Sequence, residues 1–122
     1  MTKPELKELL KIYSKIRDAV INGDSRVVIK RYRGDLCINV PPWAKSVEKG
    51  ICELLDTENE LIKNVIDLSY IKGLKDKEIL TRLPLSESGY YRLKNYIEEK
   101  IFQLCIVFGY VTKADVLSEK IR

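Results

Sequence analysis

Histidine does not occur anywhere in this 122-residue chain. Its absence removes the commonest general base, the commonest metal ligand, and the Ser-His and Cys-His nucleophile pairs. Cysteine is scarce: Cys37, Cys52 and Cys105 form an odd set with no close pair, which excludes a disulfide framework and a zinc ribbon. The six glycines stand singly at 23, 34, 50, 73, 89 and 109, so there is no Gly-rich phosphate loop. Long apolar runs are missing too. Val27-Val28-Ile29 and residues 104–108 are the longest, against roughly 20 residues for a bilayer span. The opening residues Met1-Thr2-Lys3-Pro4-Glu5 lack the apolar stretch of a signal peptide. The expectation is a cytoplasmic protein that needs no cofactor or metal, meets no membrane and is not an enzyme.

What is present is a composition that folds. Hydrophobic residues make up 45% and charged residues 33%, enough for one ordinary domain or two very small ones. The net charge of +4, from 22 basic and 18 acidic residues, is compatible with a polyanionic partner without requiring one. Charge is also distributed unevenly. Residues 26–33, RVVIKRYR, carry four positive charges and no negative one, whereas Asp56-Thr57-Glu58-Asn59-Glu60 is acidic. The default reading of each run is a solvated face.

Apolar periodicity divides the chain. Leu6, Leu9, Leu10, Tyr13, Ile16, Val20 and Ile21 recur at three- and four-residue spacing, which predicts an amphipathic helix over 4–21. Thr2 is its N-cap, Pro4 and Glu5 suit its first turn, and Asn22-Gly23-Asp24 closes it. Such a helix must cover its stripe with the rest of the chain or with a second copy. Residues 26–40 are rich in strand formers around the turn signal Arg33-Gly34-Asp35, so a short hairpin is the first reading and a flexible basic linker the second. Pro41-Pro42 stops any strand. A helical pattern resumes over 43–55 through Val47, Ile51, Leu54 and Leu55.

A helix over 57–72, capped by Thr57 or Asp56 and ended by Gly73, places Leu61, Ile62, Val65, Leu68 and Ile71 inward. A short helix over 75–82 buries Ile79, Leu80 and Leu83. Leu83-Pro84-Leu85 breaks it, because proline disfavours helix in the residue before it. Ser86 then caps a long helix through Tyr90, Leu93, Ile97, Ile101, Leu104, Cys105 and Phe108, and Thr112 with Asp115 marks a last short helix over 112–120.

A supporting helix, a short helix, a tight turn and a long helix form the arrangement of a helix-turn-helix, whose final helix offers its opening turns to the DNA major groove. With Tyr90, Leu93 and Ile97 inward, the helical period sends Glu87, Ser88, Tyr91, Arg92, Asn95 and Lys94 outward. Arginine reads guanine, asparagine reads adenine, and serine and tyrosine reach base edges or phosphates. Ser88, Tyr91, Arg92 and Asn95 are therefore the candidate base contacts. Ser86, Lys72, Lys75, Lys77 and Lys94 are the candidate phosphate contacts. Gly89 costs about 1 kcal/mol of helix propensity, which a close backbone approach would explain. Between 72 and 100, seven cations face five acids, a slight positive excess.

These residues also carry a resemblance. Glu60-Leu61-Ile62, residues 68–74, Asp76-Lys77-Glu78-Ile79, and Ser86 with Tyr91-Arg92-Leu93-Lys94 and the closing Phe108-Gly109 resemble the ArpU/RinA/LtrC group of phage late transcriptional regulators. The arrangement is similar to the sigma-factor domain that reads the −35 promoter element. The resemblance covers about residues 57–110, with Ser69 where the pattern usually has arginine. It implies an activator of phage packaging, morphogenesis and lysis genes in a Gram-positive host, working on double-stranded DNA with host RNA polymerase.

The expected whole is a mostly α protein with a C-terminal helix-turn-helix, sigma region 4-like, at about residues 75–108. Residues 1–42 would be an N-terminal module for dimerisation or a polymerase contact, and 43–122 the helical DNA-binding domain. A homodimer is expected. Trp43 reads as core rather than as a partner anchor, Tyr90 as packing, and Cys105 as a small hydrophobe. Glu98-Glu99 and Glu58/Glu60 read as solvated faces, not catalytic pairs. The competing class is a protein-interaction module, an anti-activator or polymerase-binding factor, with no DNA contact.

Overall fold

The computed structural model describes residues 1–107. The expected last helix over 112–120 and the Phe108-Gly109 pair lie outside the described residues. The chain is mostly helical with one small antiparallel hairpin. In order come α1 (Lys3–Asn22), β1 (Arg26–Ile29), β2 (Leu36–Asn39), α2 (Ala44–Thr57), α3 (Glu60–Ile66), a π-helical segment (Asp67–Ile71), α4 (Asp76–Arg82) and α5 (Glu87–Val107).

Helix α1 begins with a capping box. The Thr2 hydroxyl accepts from the Glu5 N–H at 3.3 Å, and the Glu5 carboxylate accepts from the Thr2 N–H at 3.0 Å, which satisfies two donors the helix itself leaves unpaired. Leu6, Leu9, Leu10, Tyr13, Ile16 and Val20 are buried as their spacing requires. Ile21 departs from the stripe and stands 53% exposed beside the buried Val20, because it lies at the flank of the buried face. The rest of the chain covers this stripe: residues from α1 share one cluster with Val47, Ile62, Ile66, Ile97 and Ile101. The expected division at residue 42 therefore separates no two cores. Burial on this scale stabilises by about 1.5–3 kcal/mol per large side chain.

The hairpin is formed, with Val27 opposite Ile38 and Val28 opposite Cys37. Val27, Ile29 and Ile38 lie half-buried against the core, and Val28 and Cys37 face solvent. Helix α2 starts without a side-chain cap at Trp43. Ser46 is buried near that start; its hydroxyl donates to the Trp43 carbonyl at 2.6 Å and touches the Cys105 sulfur at 3.3 Å, tying the start of α2 to the end of α5. Trp43 itself is half-buried against the core.

Two expectations are corrected in the next stretch. The cap of α3 is Asn59, whose side chain accepts from the Ile62 N–H at 3.0 Å, and not Thr57 or Asp56. Thr57 instead belongs to the last turn of α2, where its hydroxyl donates back to the Glu53 carbonyl. The single helix expected over 57–72 is also interrupted: after Ile66 the backbone widens to the π form, with Lys72 N–H bonding to the Asp67 carbonyl at 2.8 Å. A widened turn shifts which residue faces inward. Tyr70, four residues after the buried Ile66, is buried, while Leu68 and Ile71 stay half-buried.

Gly73 ends this segment at φ +71 with its α-carbon pressed against α1. A Cβ there would lie 2.2 Å from Ser14 Oγ and 2.8 Å from Ser14 Cβ. Residues 83–86 then turn the chain from α4 into α5. Ser86 caps α5, accepting from the Gly89 N–H at 3.1 Å. Tyr90, Ile97, Ile101, Phe102 and Cys105 are buried, and Leu93 and Leu104 are half-buried. Phe102 was not expected inside. It flanks the main stripe and fills space beside Ile101.

Glu48 of α2 bridges to α1. It accepts from Tyr13 at 2.6 Å and from Arg17 at 3.0 Å on each oxygen, and the Cys52 thiol donates to it at 3.2 Å. Burial alone would raise the Glu48 carboxyl pKa, but the hydrogen bonds from Arg17, Tyr13 and Cys52 outweigh it and hold the pKa below the usual value.

Two stability tests follow from these contacts. Gly73→Ala should lower the unfolding free energy by about 3 kcal/mol, combining a left-handed backbone with a steric clash; urea denaturation measures it, with Gly34→Ala, where the added Cβ meets nothing within 4 Å, as the milder control. Glu48→Gln should cost about 2 kcal/mol at neutral pH. Because the native carboxyl binds its proton less readily than the unfolded one, that stabilisation is lost as pH falls through the native pKa. The wild-type and Glu48→Gln denaturation midpoints should therefore converge once the pH has fallen below the lowered native pKa of Glu48.

Candidate nucleic-acid interface

Helix α5 is rotated about its axis by what it buries. Tyr90, Ile97, Ile101 and Cys105 lie inside, so positions 88, 91, 92 and 95, spaced i, i+3, i+4 and i+7, share the other side. Ser88, Tyr91, Arg92 and Asn95 are all exposed. The structure thus brings the four candidate base contacts onto one solvent-facing stripe over the first turns of a 21-residue helix. Tyr91 sits at the edge of that stripe. Its ring meets the Tyr90 ring edge-on, with centroids 5.3 Å apart.

The candidate phosphate contacts divide into four groups. Lys75 and Lys77, at the start of α4, are exposed and have no ion-pair partner among the described residues. Lys72 is exposed but pairs with Asp67 at 3.2 Å. Ser86 is exposed, its hydroxyl oxygen already engaged in capping α5 and lying 3.4 Å from the Ser88 hydroxyl. Lys94 stands apart, because it is half-buried and drawn inward. Its ammonium lies 3.4 Å from Asp76 and over the rings of Tyr70 and Tyr90, 5.6 and 5.7 Å from their centroids.

Asp76 is the residue that sequence reasoning missed. From the first turn of α4 it accepts from the Tyr90 phenol at 2.6 Å, from Lys94 at 3.4 Å, and from Tyr91 at the long distance of 3.5 Å. One carboxylate therefore ties α4 to the opening of α5. Burial pushes the Asp76 carboxyl up, but the Tyr90 bond and the Lys94 charge more than offset this, and its pKa falls below the ordinary value. The same contact, after burial, raises the Tyr90 phenol well above its usual value. Nothing periodic links position 76 to 90, 91 and 94, so no sequence signal could have found the cluster.

Charge pairing decides what this surface displays. Arg82 is matched by Glu78 at 3.3 Å, Lys72 by Asp67, and Lys94 by Asp76. Lys75, Lys77 and Arg92 remain without an ion-pair partner among the described residues. Glu87 is the exposed acid in the same region without one, at the helix end where a negative charge is favoured. Behind the stripe, a cleft of about 540 Å³ gathers Lys7, Lys11, Lys75 and Lys94 around Asp76 and Glu98. Glu98 accepts from the buried Tyr70 at 3.0 Å. The two carboxylates offset the repulsion among the four lysines. Among the described residues no cluster of three His, Cys, Asp or Glu could hold a metal, and no helix is long and apolar enough to cross a membrane.

Replacing Asp76 tests how the two helices are joined. Asp76→Asn should lower stability by about 1 kcal/mol and release Lys94 from its partner, read as a shifted denaturation midpoint and a new Lys94 environment by NMR. An unchanged midpoint would mean that Asp76 does not join α4 to α5.

No family model, no curated protein and no solved structure matches this chain, so the case for its function rests on this surface.

Proposed function

We propose that this protein is a sequence-specific DNA-binding regulator of transcription that lays the opening turns of α5 in the major groove, with α4 and the turn before α5 completing a helix-turn-helix. The observation that carries the reading is the exposed stripe Ser88, Tyr91, Arg92 and Asn95. It combines a guanine-reading arginine, an adenine-reading asparagine and two hydroxyls on one helical face. Lys75 and Lys77 are displayed nearby to neutralise phosphates and hold the register. Rigid anchorage supports the same reading, since a base-reading helix must be held in a fixed orientation, and Tyr90 bonded to Asp76 holds this one.

The resemblance to the ArpU/RinA/LtrC group makes phage late genes the proposed targets and activation with host RNA polymerase the proposed mode, in the cytoplasm of a bacterial host. A homodimer on paired half-sites belongs to the same proposal. No catalytic residue or cofactor is part of it. The second reading, a protein-interaction module without DNA contact, draws on the inward pairing of Lys94 and the exposed Glu87, both of which reduce the positive potential of the surface.

Substitution separates the two. A combined Tyr91→Ala, Arg92→Ala and Asn95→Ala variant should lose discrimination between operator and random duplex, and Arg92→Ala alone should cost about 1–3 kcal/mol on the operator. Lys75→Ala should weaken all duplexes alike and lower the salt slope by about one. Unchanged operator affinity in the triple variant, measured by fluorescence anisotropy, would reject the α5 stripe as the reading surface.

A further inference from the structure

The hairpin carries a second cluster that the α5 surface does not use. Its base is anchored, because Val27, Ile29 and Ile38 pack against the core and Val40 N–H bonds to the Ser25 carbonyl at 2.8 Å. Its tip projects. Gly34 N–H bonds to the Arg31 carbonyl at 3.2 Å, closing a turn with Tyr32 and Arg33 at its two central positions. Turn corners favour Gly, Pro, Asn, Asp and Ser, so turn geometry does not account for a tyrosine and an arginine there. Core packing does not account for them either: Tyr32 is 105% exposed, and Lys30, Arg31 and Arg33 are exposed with no ion-pair partner among the described residues. The tip thus displays three unpaired cations and one aromatic ring to solvent, the side-chain set that backbone phosphates and base or sugar faces accept.

We propose that the hairpin tip is a second DNA-binding element, with Lys30, Arg31 and Arg33 contacting the phosphate backbone of duplex DNA and Tyr32 lying against a sugar or base edge. Arginine's planar fork matches a phosphate in two hydrogen bonds, and a two-stranded ribbon is narrow enough to follow a groove. Three cations in four residues, with no acid before Asp35, make a contact that does not depend on base sequence. The inference rests on the preceding reading only in its choice of polymer. Anionic lipid, the other common phosphate surface, is the outcome that the vesicle arm of the test detects.

The test uses the full chain and a duplex of arbitrary sequence. A Lys30→Gln, Arg31→Gln, Arg33→Gln variant should bind about tenfold or more weakly at low salt, with the slope of log affinity against log salt reduced by about 2–3. Its thermal midpoint should not move, since the altered side chains are exposed and have no ion-pair partner among the described residues. Arg31→Lys with Arg33→Lys should keep the slope, and Tyr32→Ala should weaken binding several-fold where Tyr32→Phe does not. Unchanged affinity and slope in the glutamine variant would overturn the proposal, as would loss of binding to phosphatidylserine vesicles but not to DNA. The two surfaces fail separately. A weakened arbitrary duplex in the glutamine variant, with operator discrimination intact in the α5 alanine variant, would reject α5 and keep the hairpin, and the reverse would reject the hairpin alone. No duplex binding by the wild-type chain would reject both.

Discussion

Tyr90, Ile97, Ile101 and Cys105 must be inside at the same time, and this single requirement sets the rotation of α5 about its axis. At 3.6 residues per turn these four positions span a narrow arc, and Ser88, Arg92 and Asn95 then fall on the opposite side, with Tyr91 on the flank. The buried stripe and the displayed stripe are thus one constraint seen from two sides. A core residue of α5 is for this reason also an indirect determinant of which side chains meet solvent.

That constraint acts through a core shared by the whole described chain. Helix α1 lies across α2, the π segment and α5, and joins them through buried apolar side chains and a few charged bonds, such as Arg17 to Glu48 and Lys3 to Glu99. At Gly73 the chain approaches α1 so that a Cβ would meet the Ser14 side chain. The orientation of α4 depends on that approach, since α4 begins three residues later. Asp76 then carries the orientation into α5. The path from the first helix to the exposed stripe is continuous packing closed by one carboxylate.

Much of the fold was legible because its signals are local. The Thr2–Glu5 box, the apolar periods of α1 and α5, the Ser86 cap and the strand formers around the Arg33-Gly34-Asp35 turn signal each rest on residues within a few positions of one another. Signals failed where a nearby competitor won or where a distant partner decided. Asn59 out-competed Thr57 as a cap because Thr57 was already bonded to the end of α2. The π segment Asp67–Ile71 interrupts the expected apolar period, and Tyr70 rather than Leu68 or Ile71 is the buried residue there.

The exposure of Ser88, Tyr91, Arg92 and Asn95 was determined by the sequence itself, through helical geometry and the apolar positions opposite. The pairing of Lys94 was decided by the tertiary structure alone, whereas Arg82 meets Glu78 one helical turn away. Lys94 has the same charge as Lys75 and Lys77, yet it turns inward because Asp76, eighteen residues earlier, lies beside two tyrosine rings at that depth. Helical period says which way a side chain leaves its helix. The carboxylate it meets there is set by how separate helices pack, and a one-dimensional pattern holds no record of that.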